Sequence, residues 1–105
     1  MKQETKNIAN LIRQYINKVD SDAEVVLYGS RARGDERADS DWDILVLTNY
    51  PVDFAIEDKF RDALFDLELE TGEVLTVFVY SKEEWQSRQR ISPFYHNVQR
   101  EGIEI

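Results

Sequence analysis

Residues 24–48 run EVVLYGSRARGDERADSDWDILVLT, two apolar segments held apart by a polar one. Glu24 to Tyr28 is a short β-branched run stopped by Gly29, the pattern of a buried strand entering a tight turn. Trp42 to Thr48 is nearly continuous in apolar residues except for Asp43, and Asn49-Tyr50-Pro51 closes it, so it reads as a second strand. Between them, Ser30 opens a short helical turn and the chain stays polar as far as Ser40.

Outward from this pair, Ile8, Leu11, Ile12, Tyr15, Ile16 and Val19 share one helical face, which predicts an amphipathic helix over 8–19 ended by Asp20-Ser21-Asp22. Asp53 is placed to cap a second helix with an apolar stripe of Ile56, Phe60, Ala63, Leu64 and Leu67, stopped at Thr71-Gly72. Val74 to Tyr80 is the most hydrophobic segment and the third strand. Ser81 with Glu84 forms a capping box for a short helix carrying Trp85, and Ser92-Pro93 opens a last helix that Gly102 ends. The order helix, strand, strand, helix, strand, helix, helix predicts an α+β fold: one domain over residues 1–105, a small mixed β-sheet with helices packed mainly on one face.

Composition narrows the function. With no cysteine and one histidine, His96, the chain offers no disulfide, thiolate site or multi-histidine metal site. No apolar run approaches the roughly 20 residues of a bilayer span, and the N-terminus MKQETKN lacks the core of a signal peptide, which points away from membranes and to the cytoplasm. A net charge of −8 argues against long nucleic acid as a ligand. Yet Arg31, Arg33 and Arg37 form a cationic island suited to a small polyanion, or to pairing with Asp35, Glu36 and Asp39.

The chemistry concentrates between Gly29 and Asp43. A glycine straight after a buried strand lets backbone approach a ligand closely, and free N–H groups at the Gly29-Ser30 turn can cradle phosphate oxygens, with Arg31 and Arg33 beside them. Asp41 and Asp43 are two apart on a strand, so their side chains share a face with Cα atoms roughly 6.6 Å apart. Two carboxylates beside a phosphate cradle suit Mg²⁺. Gly-Ser alone is ordinary turn chemistry. Asp43, however, lies within an apolar strand and needs a cation or strong donors, the alternative to a metal being an ion pair with Arg31 or Arg33.

The run GSRARGDERADSDWDIL (29–45) resembles the signature of the DNA polymerase β-like nucleotidyltransferase superfamily: a strand, Gly-Ser, a spacer, then Asp-x-Asp entering a second strand. Gly-Ser-x-Ala-Arg-Gly with Ser-Asp-x-Asp is similar to the minimal nucleotidyltransferases, often encoded beside a helical HEPN partner and acting as its antitoxin. The likeness extends more weakly to the first helix, the third strand and the C-terminal Gln99-Arg100-Glu101. It implies that Gly29, Ser30, Arg31 and Arg33 hold a nucleoside triphosphate, ATP favoured, and that Asp41 and Asp43 are catalytic and bind Mg²⁺. An acceptor hydroxyl, on a partner protein of the HEPN kind or another, would then receive AMP. Homo-oligomerisation is left open. In one respect the sequence departs from these relatives. They carry a third acid within the strand after the second helix, where this chain has Leu75-Thr76-Val77, and Glu73 is the nearest substitute. That departure opens a second reading, a nucleotide-binding or antitoxin module with weak or absent turnover.

Overall fold

Alternation along the apolar runs settles which way each strand faces. In β1 (Glu24–Tyr28), Val25 and Leu27 turn into one core, while Val26 and Tyr28 turn into another on the opposite side. β2 (Trp42–Thr48) sends Trp42, Ile44 and Val46 to the first core and Leu45 and Leu47 to the second. A strand buried on both faces reads as an unbroken apolar run, as this one does.

In the computed structural model, which describes residues 1–105, these strands join β3 (Leu75–Ser81) and a short β4 (Ile103–Glu104) in one mixed sheet of order β3-β2-β1-β4. β1 and β2 are antiparallel, with Tyr28 opposite Asp43. β2 and β3 are parallel, with Asp43 beside Thr76, and α3 (Phe54–Thr71) makes the crossover that a parallel pair requires.

α1 (Gln3–Val19) and α3 cover one face, where Ile12, Ile16, Phe60, Leu64 and Leu67 pack on Trp42, Ile44 and Val46. α1 begins ahead of the Ile8 stripe because its polar first turn still buries Thr5. Asp53 caps α3 by accepting from the Ile56 N–H at 2.9 Å, and Gly72 ends it at φ 75°. On the other face lie α4 (Lys82–Gln86), a 3-10 turn at Gln89–Ile91 and α5 (Pro93–Glu101). Their Trp85 and Val98 pack on Leu45 and Leu47. Ser81 and Ser92 cap α4 and α5 by accepting from the N–H groups of Glu84 and Tyr95, each at 3.0 Å. The two long helices thus share one face, and short ones cover part of the other.

Two details depart from the sequence reading. β3 starts at Leu75, because Val74 stays exposed and only its carbonyl is used, accepting from the Trp42 N–H at 2.9 Å. β4 pairs Ile103 with Leu27 and adds a second neighbour to β1, a strand too short to show any period in the sequence.

Trp85 joins the C-terminal helices to the sheet, with its ring 5.0–5.8 Å from those of Tyr80, Phe94 and Tyr95. Trp85→Ala is expected to cost about 3–5 kcal/mol in chemical denaturation. A loss under about 1 kcal/mol would show that this layer is not integral to the fold.

Candidate functional site

The antiparallel register that sets Asp43 opposite Tyr28 brings its carboxylate against the turn that follows β1. Gly29 turns there at φ 77° and ψ −160°, and a Cβ at this position would collide with the Asp43 carboxylate. Both the left-handed backbone and the missing side chain are therefore required. From Gly29 the chain enters α2 (Ser30–Arg33), whose internal bonds begin with the Ala32 and Arg33 N–H groups donating to the Gly29 carbonyl at 3.1 and 3.0 Å. The N–H groups of Ser30 and Arg31 precede that ladder, as the first N–H groups of a helix do. The N–H of Gly29 donates to Glu101 at the end of α5, at 3.0 Å.

Asp43 is half-buried, and no hydrogen-bond donor or cation lies in contact with its carboxylate. Burial pushes its pKa up, the neighbouring Asp41 adds to that, Arg33 opposes it and Glu101 adds further. The ion-pair alternative is not what the chain builds. Arg33 instead donates to Glu101 at 3.0 Å and to Asp35 at 3.2 Å. Arg31 lies over the ring of Trp42, 4.6 Å from its centroid, donates to the carbonyls of Ser40 at 2.9 Å and Ala38 at 3.4 Å, and faces Glu73 at 3.6 Å. Trp42 packs on the α1 and α3 side, so the guanidinium of Arg31 is held away from Asp43, latching the polar loop that delivers Asp41.

Of the residues singled out by sequence, Gly29 lies against Asp43, Ser30 follows it in the chain, and Asp41 and Arg33 are near enough to act on the Asp43 charge. Thr76 sits beside Asp43 on β3. Glu73 does not stand in for an acid there, because it accepts from the Trp42 Nε1–H at 3.0 Å on the far side of the sheet. Glu101, to which the sequence pattern gives no role, holds both the Gly29 N–H and Arg33. No local pattern joins residues so far apart in the chain.

The raised pKa of Asp43 fixes a sign. The folded metal-free protein holds this proton more tightly than the unfolded chain, so the contribution to stability is fully present below the ordinary carboxylate pKa and is lost as pH rises through the raised one. Asp43→Asn is therefore expected to leave the metal-free protein as stable as the parent or more so at pH 7. It should also remove part of the parent's loss of stability on going from acid to neutral pH, measured by denaturation at several pH values. A mutant clearly less stable at pH 7 would mean that an unrecognised donor satisfies Asp43.

Residues 9–97 match the family model described as "Nucleotidyltransferase domain". The chain is 32% identical over 101 residues to the "Putative protein adenylyltransferase MJ0604" of Methanocaldococcus jannaschii, an alignment covering 91% of this chain and 95% of that protein. Among solved structures it is similar to a toxin-antitoxin crystallised with AMP-PNP, at TM-score 0.60 and 18% identity, covering 88% of this chain and 70% of that one. It is also similar to a nucleotidyltransferase of Sulfolobus solfataricus, itself named as putative, at TM-score 0.58 and 19% identity, covering 95% and 80% of the two chains. At these identities the structural likeness is one of fold.

Proposed function

Because the chain belongs to the nucleotidyltransferase domain family, we propose that it binds a nucleoside triphosphate, ATP in the first instance, with Mg²⁺ and transfers AMP to a hydroxyl on a partner protein. The observation that carries this reading is the half-buried Asp43 carboxylate, raised in pKa, beside Asp41 and against the turn of Gly29 and Ser30. A cation between the two carboxylates relieves both their repulsion and the cost of burial. The nucleotide named in the toxin-antitoxin structure and the protein adenylyltransferase name of the archaeal relative support the choice of ATP and of a protein acceptor.

In this reading the N–H groups of Ser30 and Arg31 hold phosphate oxygens, and Gly29 lets the phosphates approach the backbone. Arg33 turns from Glu101 toward the triphosphate, while Arg31 serves through its backbone and through its grip on the loop that ends at Asp41. Asp41 and Asp43 hold Mg²⁺, a hard ion suited to a carboxylate or two plus substrate phosphates. When bound there, Mg²⁺ would neutralise charge on the triphosphate and lower the pKa of the attacking hydroxyl. The acceptor oxygen bonds to the α-phosphorus, the bond from that phosphorus to the bridging oxygen breaks, pyrophosphate leaves with the electron pair, and the hydroxyl proton passes to solvent. Positioning and charge neutralisation supply most of the rate.

A second reading is favoured by one observation, that neutral Thr76 is the neighbour of Asp43 in β3. With no third carboxylate beside Asp41 and Asp43, Mg²⁺ would be held by one ligand fewer, and the chain becomes a nucleotide-binding module that acts chiefly as an antitoxin, on a helical HEPN-type partner, with slow transfer.

Thermal denaturation with ATP and Mg²⁺ tests binding. At a ligand concentration about 100 times Kd, linkage predicts about 2.7 kcal/mol of added stability, most of it lost in Asp43→Asn. Equal stabilisation of mutant and parent would remove the Asp pair as a metal site. Transfer of labelled AMP to the partner encoded beside this chain separates the two readings. Thr76→Asp should raise it at least tenfold if the parent is slow for want of an acid, whereas rapid transfer by the parent, unchanged in Thr76→Asp, would contradict the second reading.

A further inference from the structure

The sheet ends on β3. Its one neighbour is β2, so the outer backbone groups of Leu75–Ser81 have no strand partner, the Leu75 N–H donating instead to the Glu68 carboxylate at 3.4 Å, and the opposite edge, β4, is only two residues long. Proteins usually blunt such an edge with Lys, Pro or a bulge, because an exposed strand is a template for pairing. β3, LTVFVYS, carries no charge and no proline. Beside it runs a groove of about 510 Å³ between β3 and α3. Leu64, Leu75 and Val77 line it as buried residues and Phe65 stands above it, 56% exposed, while the Phe78 side chain lies on the other face of the sheet with its ring 5.3 Å from that of Phe94.

Position ties this edge to the reaction. The phosphate turn at Gly29 and Ser30 lies on the β1 side of Asp43, and Thr76 of β3 is its neighbour on the other side. Thr76 and Phe78 face the same side of the sheet as Asp43, so a strand added along β3 carries alternate side chains on that side. We propose that the open edge of β3 and the adjoining face of α3 are the docking site for the acceptor protein, which adds an extended segment bearing Lys or Arg alongside Leu75–Ser81 and so brings its hydroxyl to Asp43. The acceptor role rests on the proposed nucleotidyl transfer; the docking surface stands on the geometry of the edge.

Charge selects the occupant. α3 carries six carboxylates against Lys59 and Arg61, and Asp62 and Glu68 line the groove itself with Arg61. A second copy of this chain would bring the same acidic helix and a net charge of −8 to the contact, which opposes self-pairing. A basic segment is drawn in, main-chain bonds to β3 supply affinity, and alternate side chains enter the groove beside Phe65 on one face and lie along Thr76 and Phe78 on the other.

The test titrates the ¹⁵N-labelled full chain with the peptide Lys-Thr-Val-Tyr-Val-Thr-Lys and with its twin carrying Glu at both ends. The expected amide shifts fall on residues 75–81 and 61–69, and the Lys peptide binds at least tenfold tighter. Phe65→Asp, at an exposed position, should weaken it at least tenfold with Tm unchanged. Asp43→Asn should keep this docking while losing ATP and Mg²⁺. No shifts on β3, equal affinity for the two peptides, or a chain dimeric through β3 in sedimentation would overturn the proposal. Docking intact in a parent chain that fails to bind ATP and Mg²⁺ would overturn the nucleotide reading and leave the docking surface standing.

Discussion

The charge of Asp43 stands where water is half withdrawn and no donor is at hand, and the corner around it is shaped by that fact. The antiparallel pairing of β1 with β2 sets Asp43 opposite Tyr28 and so presses the carboxylate onto the next residue, which has to be glycine. The same turn gives Gly29 a positive φ and aims α2 past the carboxylate. Asp41 and Glu101 add negative charge, and Arg33 alone offsets it. An imbalance of this kind costs stability in the free protein and is relieved by any cation that binds there.

The elements that hold this corner do so from both faces of the sheet. Arg31, Trp42 and Glu73 lock the loop before Asp41 on the side of the long helices. Glu101, carried by α5, holds the Gly29 N–H from the other side, and the aromatic packing of Trp85 and Phe94 keeps α5 on the sheet. The helix that looks peripheral in the sequence therefore positions the turn.

Much of this was legible in the residues themselves. The strand pair, the glycine stop, the caps at Asp53, Ser81 and Ser92, and the grouping of Gly29 with Asp41 and Asp43 follow from local periodicity and turn chemistry, which act over a few residues. What was not legible depends on long-range contact. Arg31 and Arg33 look alike in the sequence, two positions apart on a single helical turn, yet one stacks on Trp42 and the other reaches Glu101. Glu73 looks like a spare acid until Trp42 claims it. The role of Glu101 and the pairing of β4 appear only once α5 has docked, because no pattern in the chain records which distant backbone group a carboxylate will meet.

The proposed site requires Asp43 to be a carboxylate that a cation and a triphosphate complete. Its own titration, followed by the carboxyl ¹³C shift with and without Mg²⁺ and a non-hydrolysable ATP analogue, tests this most directly. The expected pKa lies above the ordinary aspartate value in the free protein and falls below that value when both ligands are present, because a bound cation favours the charged form. A pKa that does not move on adding saturating metal and nucleotide would contradict it.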